Sequence, residues 1–100
     1  MVKVGILARM VAKAGKEAEV EAFLTSALPL AQAEAGTVFW FALRLSDREF
    51  GIFDAFPDET GRNAHLNGPI AAALMAKASE LLAEPPRIDK IDVLAAKPAG

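Results

Sequence analysis

The stretch that decides the fold is TVFWFALRLSDREFGIFDAF, residues 37–56. It contains two alternating runs, 37–46 and 49–56, on either side of Asp47-Arg48, and this arrangement predicts a β-hairpin. In the first strand, both alternating sets of side chains are largely apolar. One set comprises Phe39, Phe41, Leu43 and Leu45, and the other comprises Val38, Trp40 and Ala42 together with Arg44. Both faces of the sheet are therefore expected to carry apolar side chains.

The residues before the hairpin predict one strand and one helix. Residues 2–12 alternate as a strand does, and residues 16–34 repeat apolar side chains at helical spacing. Pro29 lies inside that helix, so we expect a kink or a break near Leu28. Gly36 is a typical stop signal for this helix, which precedes it.

The residues after the hairpin predict two helices and a last strand. Asp58 is a candidate N-cap for a short helix, which Asn67-Gly68-Pro69 ends. Pro69 can begin a second helix, which extends to residue 82, and residues 87–96 alternate as a strand. The order β-α-β-β-α-β predicts an α+β, ferredoxin-like domain over residues 1–100. Its four-stranded antiparallel sheet would have both long helices on one face.

Length and composition exclude several classes of protein. One hundred residues suffice for a single domain, and a net charge of −2 provides no basic field for nucleic acid. The absence of cysteine excludes disulfides and thiol catalysis, and no apolar run is long enough to span a membrane. With a single histidine and no glycine-rich nucleotide motif, neither a metal nor a nucleotide cofactor is expected. We expect a cytoplasmic protein.

The sheet face without helices needs a cover, because large apolar patches are rarely exposed on a monomer. Two copies packed sheet to sheet under two-fold symmetry would bury this face in both. We therefore expect a homodimer. The alternative is that the spare aromatic side chains pack around the helix edges or under the tail.

With these segments in this order, the whole chain resembles the antibiotic biosynthesis monooxygenase (ABM) family. The resemblance is carried by VGILAR at residues 4–9, by Pro29 followed by AEAGT at residues 33–37, and by FDAFPDETGRNAH at residues 53–65. In the last of these, Asp54, Phe56, Asp58 and His65 match the family's spacing of an acidic residue, an aromatic residue, an Asp or Ser, and a His.

The resemblance implies a dimeric α/β barrel and a cofactor-independent oxygenase that acts on electron-rich phenols or quinols. Ile52 and Phe56 stand where some monooxygenase members carry Asn and Trp. Ala8 stands where the haem-degrading branch carries Asn, so no haem is expected. The alternative function is a non-catalytic dimer that binds small apolar or aromatic compounds or is stress-related, or a purely structural dimer.

His65, Asp54 and Arg44 are the candidate catalytic residues. His65 could take a proton from a substrate hydroxyl, because its ordinary pKa lies near neutral pH; alternatively, it caps the short helix or binds a backbone carbonyl. Asp54 lies in an apolar strand, where a buried carboxylate needs a partner. We expect an ion pair with Arg44 or Arg9. The alternative is that Asp54 orients His65 or binds a substrate hydroxyl.

A substrate pocket is predicted from the aromatic side chains around these residues. Its expected lining comprises Phe39, Trp40, Phe41, Phe53 and Leu74. Trp40 could stack on a flat substrate, or it could simply pack in the core. Arg62 could contact a phenolate oxygen, although a solvated position on the helix surface is the simpler expectation.

Overall fold

The structure is a computed structural model that describes residues 1–97. Its elements follow one another in the order predicted from the sequence. They are β1 (Val4–Val11), α1 (Glu17–Ser26), α2 (Leu28–Gln32), β2 (Phe39–Arg44), β3 (Glu49–Phe56), α3 (Glu59–Leu66), α4 (Pro69–Leu81) and β4 (Arg87–Asp92). The predicted α+β, ferredoxin-like arrangement is confirmed.

The four strands form one antiparallel sheet in the order β2-β3-β1-β4. In the register of β1 against β3, Ile6 lies opposite Asp54, and in that of β2 against β3, Trp40 lies opposite Asp54. The two central strands, β1 and β3, lie side by side, and the edge strands β4 and β2 flank them. This register places Asp54 in the middle of the sheet.

The helices cover the face formed by the even-numbered residues of β1 and β3. Along these two strands, Ile6, Met10, Phe50, Ile52 and Phe56 are buried on this face. Val20 and Leu24 of α1 and Leu74 and Leu81 of α4 complete the same core. The burial of alternate residues follows from the strand geometry, in which successive side chains point to opposite faces.

The helix interrupted by Pro29 breaks where the sequence predicts. α1 ends at Ser26, Ala27 forms the junction, and Pro29 lies in the first turn of α2, where its missing N–H is not required. The helical segment ends at Gln32, earlier than predicted, and residues 33–38 form a turn before β2. Asp58 caps α3 as predicted, because its Oδ1 accepts a hydrogen bond from the Gly61 N–H at 2.9 Å.

The opposite face of the sheet, which we call the open face, carries an aromatic row. Phe39, Phe41 and Phe53 stack with ring centroids 6.3 Å apart in each adjacent pair. Phe41 remains 50% exposed. β4 ends at Asp92 rather than at residue 96, because only the Val93 N–H bond to Lys3 O continues the pairing. Of the residues described, no helix is long and apolar enough to cross a membrane.

Candidate functional site

Asp54 is the buried acid of the helix-covered face. It lies on β3 between its register partners Ile6 and Trp40, and only 1% of its surface is exposed. Most buried side chains on this face are apolar, and a buried carboxylate costs free energy unless a polar group compensates it. The surroundings of Asp54 therefore show where the polar chemistry of the domain is concentrated.

His65 provides that compensation from the last turn of α3. Its Nε2 lies 2.9 Å from Asp54 Oδ2, and both side chains are buried. The cap at Asp58 fixes the start of α3, so the last turn of this short helix directs His65 toward the sheet. This geometry agrees with the alternative in which Asp54 orients His65. It does not agree with a helix-capping or carbonyl-binding role for the His65 side chain.

Glu34 faces the other nitrogen of the same imidazole. Its Oε1 lies 2.6 Å from His65 Nδ1 and also accepts a hydrogen bond from Thr37 Oγ1 at 2.6 Å. The turn that carries Glu34 packs backbone to backbone on α3. A Cβ added to Gly61 would lie 2.9 Å from Gly36 O, so the absence of a side chain allows this close approach.

Glu34 was not among the site residues predicted from the sequence. Its only sign in the sequence is an isolated acid in the turn AEAGT, where the neighbours offer it no charged partner. The three residues form a chain of carboxylate, imidazole and carboxylate, which we call the Glu34–His65–Asp54 cluster. Its members come from the α2–β2 turn, α3 and β3.

The cluster raises the pKa of His65 above its ordinary value of 6.5. Burial, the largest single influence, lowers this pKa because it disfavours the charged ring. The hydrogen-bonding and charge interactions with Asp54 and Glu34 act in the opposite direction and together outweigh it. The arrangement therefore stabilises the charged imidazolium relative to the neutral ring.

A small cavity lies beside Asp54 and His65, between the sheet and the last two helices. It has an enclosed volume of about 30 Å³, which is room for roughly one water molecule. The apolar part of its lining comprises Ile6, Ala8, Ile52, Leu66, Ile70, Ala71, Leu74 and Ile88. Among residues 1–97, neither Asp54 oxygen makes a hydrogen bond of good geometry, although Oδ2 lies 2.9 Å from His65 Nε2. The cavity thus combines apolar walls with an unsatisfied buried acceptor.

The expected ion pairs of Asp54 with Arg44 and Arg9 are wrong. Arg44 pairs with Glu21 and lies over the Phe50 ring, because its register position is opposite Phe50. Along a strand, that position is roughly 13 Å from the position opposite Asp54. Arg9 has odd parity on β1 and is exposed on the open face. Neither arginine belongs to the site.

Arg62 is buried rather than solvated on the helix surface, which corrects the simpler expectation. Its Nη1 donates to Gly5 O and to Ile91 O, each at 3.1 Å, and its Nε donates to Glu59 Oε1. These contacts engage the guanidinium, which was also expected as a possible partner of a phenolate oxygen, within the protein itself. Arg62 joins α3 to the two strands beneath it.

The expected aromatic pocket is divided between the two faces of the sheet. Leu74 lines the cavity beside His65, whereas Phe39, Phe41 and Phe53 lie on the open face. Trp40 is on the helix-covered face but lines a separate cleft beside α2, with Ala31, Thr37 and other residues. These five residues therefore do not form one pocket.

No metal-binding arrangement is present among residues 1–97. Although three potential ligands are close together, Glu34 and Asp54 face opposite nitrogens of one ring. Their carboxylates are separated by the imidazole and do not converge on a common point.

The comparisons with known proteins agree on the fold. The chain is 59% identical to a protein of unknown function from Nitrosomonas europaea, with a TM-score of 0.96 and coverage of 100% of this chain and 98% of that one. Neither a family model nor a curated protein matches the chain.

More distant solved structures share the same architecture. Another Nitrosomonas europaea protein, named "putative antibiotic biosynthesis monooxygenase", is 14% identical with a TM-score of 0.81, over 92% of this chain and 99% of that one. A Deinococcus radiodurans protein of the same name is 17% identical with a TM-score of 0.80, over 93% and 94% of the two chains. The resemblance found in the sequence is thereby confirmed at the level of the fold. The chain belongs to the same family as the Nitrosomonas europaea protein of unknown function, and it has the fold of the proteins named as monooxygenases.

Proposed function

We propose that this protein is a cofactor-independent monooxygenase that binds a small phenol or quinol in the cavity beside Asp54. The observation that carries the proposal is the unsatisfied Oδ1 of Asp54, which is buried in an apolar surrounding. A buried acceptor without a donor is costly, and a substrate hydroxyl would supply that donor. The apolar lining suits the aromatic ring of the same molecule.

The cavity must widen to admit a ring, because its enclosed part holds only about one water molecule. Ile88, on the edge strand β4, is 40% exposed at the rim, and Leu66 is partly buried at the end of α3. We expect these two side chains to move when the substrate enters. The edge of the sheet beside β4 is therefore the proposed entrance.

The reaction begins with transfer of the hydroxyl proton to the Asp54 carboxylate. The His65 imidazolium behind it offsets the negative charge that remains on the substrate. The resulting carbanion-like substrate reduces O₂ itself. For a phenol with a hydrogen on the carbon para to its hydroxyl the balance is HO–C₆H₄–H + O₂ → O=C₆H₄=O + H₂O, in which one oxygen atom enters the product, the other leaves as water, and the proton held by Asp54 is returned to that water.

We also propose that the protein acts as a homodimer joined through the open face. Phe41 and Leu45 are exposed to 50% and 45% respectively. An apolar depression of about 310 Å³ between the aromatic row and residues 93–97 adds to this surface. Such a surface is costly in water, and a second copy of the same face would cover it. The helix-covered site would then remain accessible.

Oxygen uptake with a panel of quinols tests the activity. We expect uptake by the wild-type protein and a loss of about 100-fold or more in Asp54→Asn, the range of a lost proton acceptor. Asp47→Asn, which changes an exposed acid in the β2–β3 loop, is the matched control and should retain activity. His65→Ala should also lose activity.

Quinol binding without any oxygen uptake by the wild-type protein would contradict the oxygenase and favour the non-catalytic binding protein. Uptake that persists in Asp54→Asn would place the reaction elsewhere. Circular dichroism of each variant shows whether a loss of activity reflects the site or the fold.

A further inference from the structure

Glu34 occupies a position that the proposed reaction does not itself require. It lies on the side of His65 away from Asp54, with Oε1 2.6 Å from Nδ1. Thr37 Oγ1 donates to the same oxygen, and the Gly36–Gly61 approach fixes the turn against α3. A solvated acid in a turn needs none of these contacts. Specific contacts therefore fix the position of Glu34, and they direct its carboxylate at the imidazole of His65.

The arrangement of the two carboxylates restricts the protonation of the ring. A neutral imidazole has one N–H and one lone pair, and an ionised carboxylate only accepts hydrogen bonds. With Glu34 at Nδ1 and Asp54 at Nε2, a neutral ring would direct a lone pair at one of the two carboxylates. Only the imidazolium presents a proton to both.

We propose that Glu34 is a positioning residue that holds His65 with both ring nitrogens protonated, so that the substrate's proton goes to Asp54 and not to His65. This inference rests on the proposed function, which it deepens by assigning the proton acceptor. The imidazole then acts as a fixed positive charge behind Asp54. It is not the free base that the sequence alone suggests.

The remaining surroundings of the ring contribute no competing charge. The residues that β1, α4 and β4 place around the cavity are apolar, Ile6, Ile70 and Ile88 among them. On α3, Arg62 is held by two backbone carbonyls and by Glu59, and Lys90 of β4 acts on Glu59. Among the residues described, Glu34 and Asp54 are thus the charged groups that face His65.

The titration of His65 by NMR tests the role of Glu34 directly. His65 is the only histidine, so its ring nitrogens give an unambiguous ¹⁵N signal. In Glu34→Gln, which keeps the shape but removes the charge, the midpoint of this titration should move to lower pH. Glu80→Gln, an exposed change on α4, is the matched control and should leave it in place. An unchanged midpoint in Glu34→Gln would overturn the proposal.

The pH dependence of quinol oxidation separates positioning from a merely structural role. Because the active form carries a charged His65, wild-type activity should fall at alkaline pH, and in Glu34→Gln this fall should begin at lower pH. A uniform loss at every pH, with the alkaline fall unmoved, would contradict the proposal. If Glu34→Gln does not fold, the wild-type spectrum decides: protonated Nδ1 at neutral pH supports the proposal, and unprotonated Nδ1 overturns it.

A wild-type protein that oxidises no quinol counts against the proposed function. The NMR shift tests the effect of Glu34 on the protonation of His65 independently of that activity.

Discussion

The two faces of the sheet use the same alternating strands for different purposes. On β3, Asp54 faces the helices and takes part in a buried cluster with charged and polar partners, whereas its neighbour Phe53 faces outward and stacks on Phe41. The helix-covered face combines apolar packing with a concentrated set of buried charges. The open face has an aromatic row with a largely exposed ring at its centre.

This difference shows how one strand can carry both the proposed site and the proposed interface. The side-chain alternation assigns neighbouring residues to separate environments, so the chemistry of one face need not disturb the other. We therefore expect changes on the helix-covered face to affect the stability and the activity of each subunit. Changes on the open face should affect association.

Removal of Asp54 should have the largest effect. Asp54→Ala leaves the His65 imidazolium without its fully buried carboxylate partner, and breaking a buried ion pair costs about 3–5 kcal/mol. Urea unfolding measures the loss, and the exposed control Asp47→Ala should change the free energy of unfolding by less than about 0.5 kcal/mol. If Asp54→Ala changed the free energy of unfolding as little as the control does, the cluster would not stabilise the fold.

A charge on the open face should break association without unfolding the subunit. In Phe41→Asp, we expect the dissociation constant of the proposed dimer to rise roughly 30-fold or more, as for a central interface residue worth about 2 kcal/mol. Sedimentation measures this change. Met75→Asp, which alters a side chain of similar exposure on α4, is the control. A wild-type protein that sediments as a monomer at micromolar concentration would contradict the dimer.

Shortening Arg62 should give an intermediate effect on stability. Arg62→Lys keeps the charge but loses Nη1, which donates to both Gly5 O and Ile91 O, and unsatisfied buried groups cost about 1–3 kcal/mol. Thermal or urea unfolding checks this result. Arg87→Lys on the exposed edge strand provides the comparison, and equal effects in the two variants would argue against an anchoring role for Arg62.

The pH dependence of stability should be the subtlest effect. The folded pKa of His65 is raised above 6.5, so its contribution is fully present below about 6.5 and is lost as the pH rises through the folded value. The free energy of unfolding should therefore decrease as the pH rises above about 6.5. In His65→Gln this decrease should be smaller. Urea titrations across this range measure it, and an increase that depends on His65 would have the wrong sign.

Local patterns in the sequence predicted most of the fold, because they act over short distances. The alternation of residues 37–56 gave the hairpin, Pro29 gave the helix break, and Asp58 gave the cap of α3. The apolar character of both faces was also visible, although alternation alone does not show which face the helices cover.

The site was less predictable, since its contacts join distant segments. Asp54 and His65 were identified as candidates, but Glu34 comes from a turn 31 residues away from His65 along the chain. Arg44 was assigned to Asp54 by strand proximity, which ignores the register that places it opposite Phe50. The parity of Phe39 and Phe41 already separated them from Trp40 on the same strand, and this separation excludes the single pocket.

The protonation of His65 at neutral pH tests the account most directly. A ¹⁵N NMR spectrum of the wild-type protein at pH 7 should show both ring nitrogens protonated, as the two carboxylates on opposite sides of the ring require. A spectrum with one unprotonated nitrogen, typical of a neutral imidazole, would contradict the charged cluster and the proton transfer to Asp54 that depends on it.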